Sequence, residues 1–152
     1  MWYYKNKLIS SIGELPQAEL LVGFVYSIEC RQRGAFFGKT YWGKKNFYSK
    51  TKKALTKKEI SPDKRLKAYK MVVKESNWKT YYGSNAQLKE DVLALGAKSF
   101  HREILQLAHS SKELTYLEME TQIINNVLRR ENCYNENVAG IYFRRDLIRK
   151  NG

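Results

Sequence analysis

Three kinds of side chain in this sequence could do chemistry on a phosphate. Tyrosine is the first, with 11 copies in 152 residues. Two of them, Tyr26 and Tyr41, sit in short β-branched and aromatic runs beside glycine. A phenol hydroxyl can position or relay a proton, but it titrates near about pH 10 and needs help to act as a base. Lysine is the second: Lys44, Lys45 and Lys79 lie close to these aromatic runs. An ammonium meets phosphate as a point charge, without arginine's two-pronged fork. Carboxylates are the third, and Glu118 and Glu120 fall in one helix-patterned stretch. Two positions turn a helix by about 200°, so only one of the pair can face a given wall. A hard cation such as Mg²⁺ takes oxygen ligands, often one carboxylate with waters and phosphate. One carboxylate among basic side chains suits such an ion. A zinc site does not fit, because Cys30 and Cys133 are isolated and no Cys/His cluster exists.

The charge balance indicates the partner. Lys and Arg number 28 against 15 Asp and Glu, a net charge of +13. Residues 38–79 hold 14 Lys/Arg and 3 Asp/Glu, which is +11 of that total. A basic excess of this size draws a polyanion, most often nucleic acid, with a membrane surface as the rival. No apolar run is long enough to span a membrane and no secretory h-region is visible, so a cytoplasmic setting is expected. Within the basic stretch, Phe47, Tyr48, Tyr69 and Trp78 interleave with Lys50, Lys52, Lys53, Lys57 and Lys58. That mix suits a nucleic-acid surface better than a plain solvated loop. Trp78 reads as core, and His101 as a surface or strand-edge residue.

The elements that must position these side chains follow from pattern. Residues 1–20 read as a lead-in, with a short helix around Pro16 to Leu20. Residues 21–28 form a strand, Arg31 to Gly34 a turn, and 35–37 with 40–42 the returning strand of a hairpin. Ser84 and Gln87 resemble a capping box that opens a helix ended by Gly96. Residues 100–105 read as a third strand. Ser110 and Glu113 open a second helix running to about Arg130, and a basic tail carries Arg144, Arg145, Arg149 and Lys150. The order gives an α+β plan: a small antiparallel three-stranded sheet flanked by helices, residues 21–152, with a basic insertion at about 44–79.

The hairpin carries a recognisable pattern. Gly23-Phe24-Val25-Tyr26 looks like a GIY element and Tyr41-Trp42-Gly43 like YIG, 15 residues apart from tyrosine to tyrosine. Glu75 to Lys79, Tyr81 to Ser84, Phe100 to Leu105, Leu114 to Glu118 and Tyr134-Asn135 add to it. Over residues 22–147 the chain resembles GIY-YIG nucleases of the phage-type, free-standing homing-like branch. The chain departs from the family in having no histidine between Tyr41 and Ser84.

The resemblance implies a metal-dependent endonuclease that hydrolyses double-stranded DNA, as a monomer or a homodimer. It implies Mg²⁺ or Mn²⁺ held by Glu118, with Glu120 as the alternative. Tyr41 becomes the general base, with nearby lysines and a metal-bound water favouring its phenolate or letting it relay a proton, and Tyr26 would position the attacking water or the Tyr41 hydroxyl. Lys45 would contact the scissile phosphate, with Lys44 and Lys79 as alternatives. Tyr81 would stand in for the missing histidine, and Asn135 would lie near the site. DNA binding is expected at Lys44, Lys52, Lys53, Lys57, Lys58, Lys79, Arg144 and Arg145. The rival expectation is a nucleic-acid-binding protein that keeps the fold without cleavage.

Overall fold

Gly23–Cys30 is built from residues that suit a buried, pleated strand, and it lies at the centre of the molecule. The computed structural model describes residues 1–58 and 69–147. In chain order its elements are β1 (Trp2–Tyr4), β2 (Lys7–Ile9), β3 (Gly23–Cys30), β4 (Thr40–Asn46), β5 (Tyr48–Ala54) and β6 (Tyr69–Glu75). Then come α1 (Ala86–Leu95), β7 (Phe100–Ala108), α2 (Ser111–Ile124), β8 (Asn137–Val138) and β9 (Tyr142–Phe143). The main sheet has the order β2-β1-β7-β3-β4, with β5-β6 and β8-β9 as separate pairs.

The expected antiparallel trio is present as β7-β3-β4, but the sheet is mixed and five-stranded. The N-terminal residues read as a lead-in supply the difference: β1 runs parallel to β7 and pairs antiparallel with β2. Trp2 explains why they dock. Its ring is 1% exposed, it packs edge-on against Phe24 and Tyr26, and its Nε1 donates to the Trp78 carbonyl at 2.6 Å. A buried indole of this kind brings a large apolar area and one polar handle, both satisfied here.

Alternation along β3 divides the core. Phe24, Tyr26 and Ile28 face one side, where Leu88 of α1, Phe47 and the fully buried Trp78 complete an aromatic cluster. Val25 faces the other side against Leu114 of α2. The core placement of Trp78 matches the sequence reading.

Three local expectations need correction. Residues 35–37 lie in a turn and the returning strand starts at Thr40. The first helix is capped by Asn85, whose side chain accepts from Leu88 N at 2.9 Å, and not by Ser84. The second helix stops at Ile124. There Asn125 turns its amide onto the Thr121 carbonyl and Asn126 adopts φ 53°, a conformation asparagine tolerates. The basic insertion contains the β5-β6 ribbon, paired from Tyr48↔Glu75 to Ala54↔Tyr69. Arg149 and Lys150 lie outside the described residues.

Candidate active site

The motif tyrosines meet through the register of β3 and β4. Tyr26 pairs with Gly43 and Ile28 with Tyr41, so the two tyrosines are diagonal neighbours on one face. Their ring centroids are 6.2 Å apart. A β-bulge between β3 and β7 falls at Val25/Tyr26, the kind of irregularity that re-aims a side chain. Tyr81 stands edge-on to Tyr26 at 6.0 Å and is hydrogen-bonded to it. Burial, with Tyr81, Tyr41 and Glu118 nearby, holds the Tyr26 hydroxyl well above its ordinary pKa. Tyr26 is therefore a neutral hydrogen-bonding group.

Tyr41 reaches further out, and its hydroxyl lies 3.2 Å from Ser84 Oγ. Gly83 brings Ser84 there by adopting φ +84°; a β-carbon on it would press within 3.0 Å of Leu88 and 3.3 Å of the Tyr41 ring. Burial raises the Tyr41 pKa most, Ser84 opposes this, and the charges of Tyr81 and Glu118 raise it further. The influences that set this shift include no lysine. Lys44 Nζ donates to Thr115 Oγ1 at 2.8 Å, and Lys45 Nζ lies over the Tyr81 ring at 4.4 Å.

Strand β4 is an edge of the sheet, so its outer backbone groups need partners. Side chains from α2 and from residues 133–135 supply them. Asn135 accepts from Trp42 N at 3.0 Å and donates to Trp42 O at 2.7 Å. Gln122 Nε2 donates to the same carbonyl at 3.0 Å, and the Glu118 carboxylate accepts from the Lys44 backbone N–H. Asn135 is 3% exposed and turns both amide atoms onto β4. Its contacts are those of a strand clamp.

These groups enclose a polar cleft of about 530 Å³ at the edge of β4. Tyr41, Lys44, Ser84, Thr115, Glu118 and Asn135 are among its walls. Glu120 is not, as the rotation between the two glutamates requires. Burial raises the Glu118 pKa, while the charge and backbone N–H of Lys44 pull it down.

The donor set suits a hard cation. Among the described residues no group of three His, Cys, Asp or Glu side chains is placed to hold a metal ion. The cleft instead offers the carboxylates of Glu118 and Glu136, the hydroxyls of Tyr41, Ser84 and Thr115, and amide oxygens. Gln122 Oε1 is the one buried side-chain polar atom without a partner among the described residues. An orphaned acceptor beside a carboxylate fits Mg²⁺ or Mn²⁺ carrying its own waters. Glu118 would hold the ion.

Other expected site residues lie elsewhere. Lys45 borders a recess at the root of the β5-β6 ribbon, and Lys79 pairs with Glu75 at 3.8 Å. Lys52 and Lys53 are exposed on the ribbon, and Lys57 and Lys58 are exposed just beyond β5. Arg144 turns inward, donating to the carbonyls of Asn135, Arg130 and Cys133. Half-buried and spent on backbone, its guanidinium ties down a loop; the exposed Arg145 lies over Phe143. His101 stacks on Tyr3 at 4.7 Å and does not line the cleft.

Sequence reasoning missed Arg102. Its guanidinium is 3% exposed, lies between Trp2 and Tyr82, and donates to the carbonyls of Lys79 and Tyr81 at 3.0 and 2.8 Å. It fixes the backbone that carries Tyr81. Ser84 and Gln122 were also missed as members of the site. The stretch from Phe100 to Leu105 gave no sign of a buried arginine, since Trp2 of β1 and residues 79–82, both distant in sequence, cover it.

No curated protein and no solved structure matches the chain. A family model described as "Putative endonuclease segE, GIY-YIG domain" matches residues 2–138, a span that includes β1 and every wall of the cleft named above. The chain belongs to the GIY-YIG endonuclease family.

Proposed function

We propose that the chain is a metal-dependent endonuclease that hydrolyses phosphodiester bonds of double-stranded DNA at the β4 cleft. The convergence of Tyr41, Lys44 and Glu118 on that one cleft carries the reading. A divalent cation, when bound, supplies Lewis-acid stabilisation of charge on the phosphoryl group.

The chain's own residues do the rest. Tyr41, anchored on Ser84, accepts a hydrogen bond from the attacking water and orients it. Its neutral phenol is suited to relaying a proton and not to standing as a phenolate. Tyr26 and Tyr81 hold the Tyr41 ring from behind. The Lys44 ammonium offsets phosphate charge at the cleft wall, a role the geometry favours for it over Lys45. Water oxygen bonds to phosphorus, the bond to O3′ breaks, and a proton passes to the leaving oxygen. The products are a 5′-phosphate and a 3′-hydroxyl. Lys52, Lys53, Lys57 and Lys58 bind the DNA outside the cleft.

A plasmid assay tests this. Supercoiled DNA should be nicked or linearised with Mg²⁺ or Mn²⁺ and left intact with EDTA. Tight binding without nicking under any divalent cation would favour a DNA-binding protein that keeps the fold alone.

A further inference from the structure

The β5-β6 ribbon has no folding reason to look as it does. Among the described residues its strands pair only with each other, from Tyr48↔Glu75 to Ala54↔Tyr69. A two-stranded ribbon is at best marginally stable alone. Yet this one leaves Met71 and Val73 51% and 55% exposed and carries Lys50, Lys52, Lys53 and Lys74 outward. Apolar side chains set among lysines on a free ribbon mark a surface that another molecule covers.

The alternation defines two faces. One presents Lys50, Lys52, Ala54, Tyr69, Met71 and Val73, with Tyr48 and Glu75 at its root and the Lys52 ammonium over the Tyr69 ring. The other presents Ser49, Thr51, Lys53, Lys70, Val72 and Lys74. The first face opens at its root onto a recess of about 400 Å³ lined by Lys45, Tyr48, Lys50, Val73 and Ser111, the first residue of α2. Lys45, whose ammonium lies over the Tyr81 ring, is thus continued by Lys50 and Lys52 out along this face.

We propose that the ribbon lies in the major groove of duplex DNA, with the Lys50, Lys52, Met71 and Val73 face toward the base edges. The inference rests on DNA being the substrate. The major groove of B-DNA, about 12 Å wide, admits a two-stranded ribbon as it stands, whereas the minor groove, about 6 Å, must be widened first. Seven residues at about 3.4 Å each reach roughly 24 Å along the groove. Lysine matches the O6 and N7 acceptors of guanine, and an apolar side chain matches the thymine methyl. The ribbon is then the part of the chain that senses sequence, while the cleft works on the backbone.

Site-directed cross-linking tests it. Cys30 and Cys133 are buried, so Met71→Cys adds the one accessible thiol among the described residues. The full chain is incubated in EDTA with duplexes carrying a disulfide tether on cytosine N4, in the major groove, or on guanine N2, in the minor groove. The expected result is cross-linking to the N4 tether and none to the N2 tether. Leu93→Cys, on the exposed side of α1, should cross-link to neither. Cross-linking to the N2 tether, or no more than Leu93→Cys gives, overturns the proposal. So does a Met71→Cys disulfide between two chains that persists when DNA is added, since the face would then join copies. If the protein nicks plasmid while the ribbon fails to cross-link, only the ribbon assignment falls. If it neither binds nor nicks, the endonuclease reading falls with it.

Discussion

The hydroxyl oxygen of Tyr26 lies 2.7 Å from the point where a β-carbon on Gly43 would sit. The Tyr41 ring comes within 2.9 Å of the same point. The glycine of the second motif triplet is thus the space in which the two motif tyrosines pack. Gly43→Ala should push both rings, costing about 1–3 kcal/mol of stability as overpacking does. Urea unfolding checks the stability and single-turnover cleavage the site. A stable, fully active Gly43→Ala protein would mean that the rings can give way freely.

Removing the Tyr41 hydroxyl leaves the ring contacts in place. Tyr41→Phe should fold normally and bind DNA as wild type. Its cleavage rate should drop by about 100-fold or more, the range for a group that handles a proton. Full activity would reduce Tyr41 to packing.

Glu118 gives a pH signature independent of activity. Burial raises its folded pKa above the ordinary 4.5. The folded state then holds the proton longer than the unfolded chain does. Stability is lost as pH rises from about 4.5 through the folded value, and an ionised Glu118 costs stability at neutral pH. Glu118→Gln should therefore raise Tm at neutral pH in EDTA, with the gap closing below about pH 4.5. Mg²⁺ should raise the Tm of wild type and not of the variant. A variant no more stable than wild type at neutral pH would contradict a carboxylate desolvated by partial burial.

The hairpin and the long helix were legible because their signals are local. Tyr26, Tyr41 and Gly43 sit in strand-forming runs, and the Ser110 cap with its apolar stripe sets the register that aims Glu118. Contacts made through space were not legible. Nothing near Trp2 says that it will join a strand to β7, and nothing near Arg102 says that it will be buried by that strand and residues 79–82. Asn135 was readable as a turn residue but not as the clamp on Trp42, which is distant in sequence. The ribbon hid for a different reason: with both faces exposed, β5 and β6 lack the apolar alternation that reveals a strand.

Charge on and beside the ribbon should act on affinity and not on rate. Replacing Lys52, Lys53, Lys57 and Lys58 with Gln should weaken binding to all duplexes. The slope of log affinity against log salt should become shallower by about 0.9 for each phosphate that is no longer neutralised. The rate at saturating DNA should stay close to wild type, because none of the four lines the cleft. An unchanged slope would move the DNA track to exposed cations elsewhere, with Arg145 the first to examine.

The most direct test of the cleft is a comparison of two glutamates on one helix. Glu118 lines the cleft and Glu120 does not. Plasmid nicking by Glu118→Ala and Glu120→Ala is measured side by side with Mg²⁺, together with DNA binding. The expected result is no cleavage by Glu118→Ala with binding retained, and near wild-type cleavage by Glu120→Ala. Cleavage that survives Glu118→Ala and is lost in Glu120→Ala would contradict the β4 cleft as the active site.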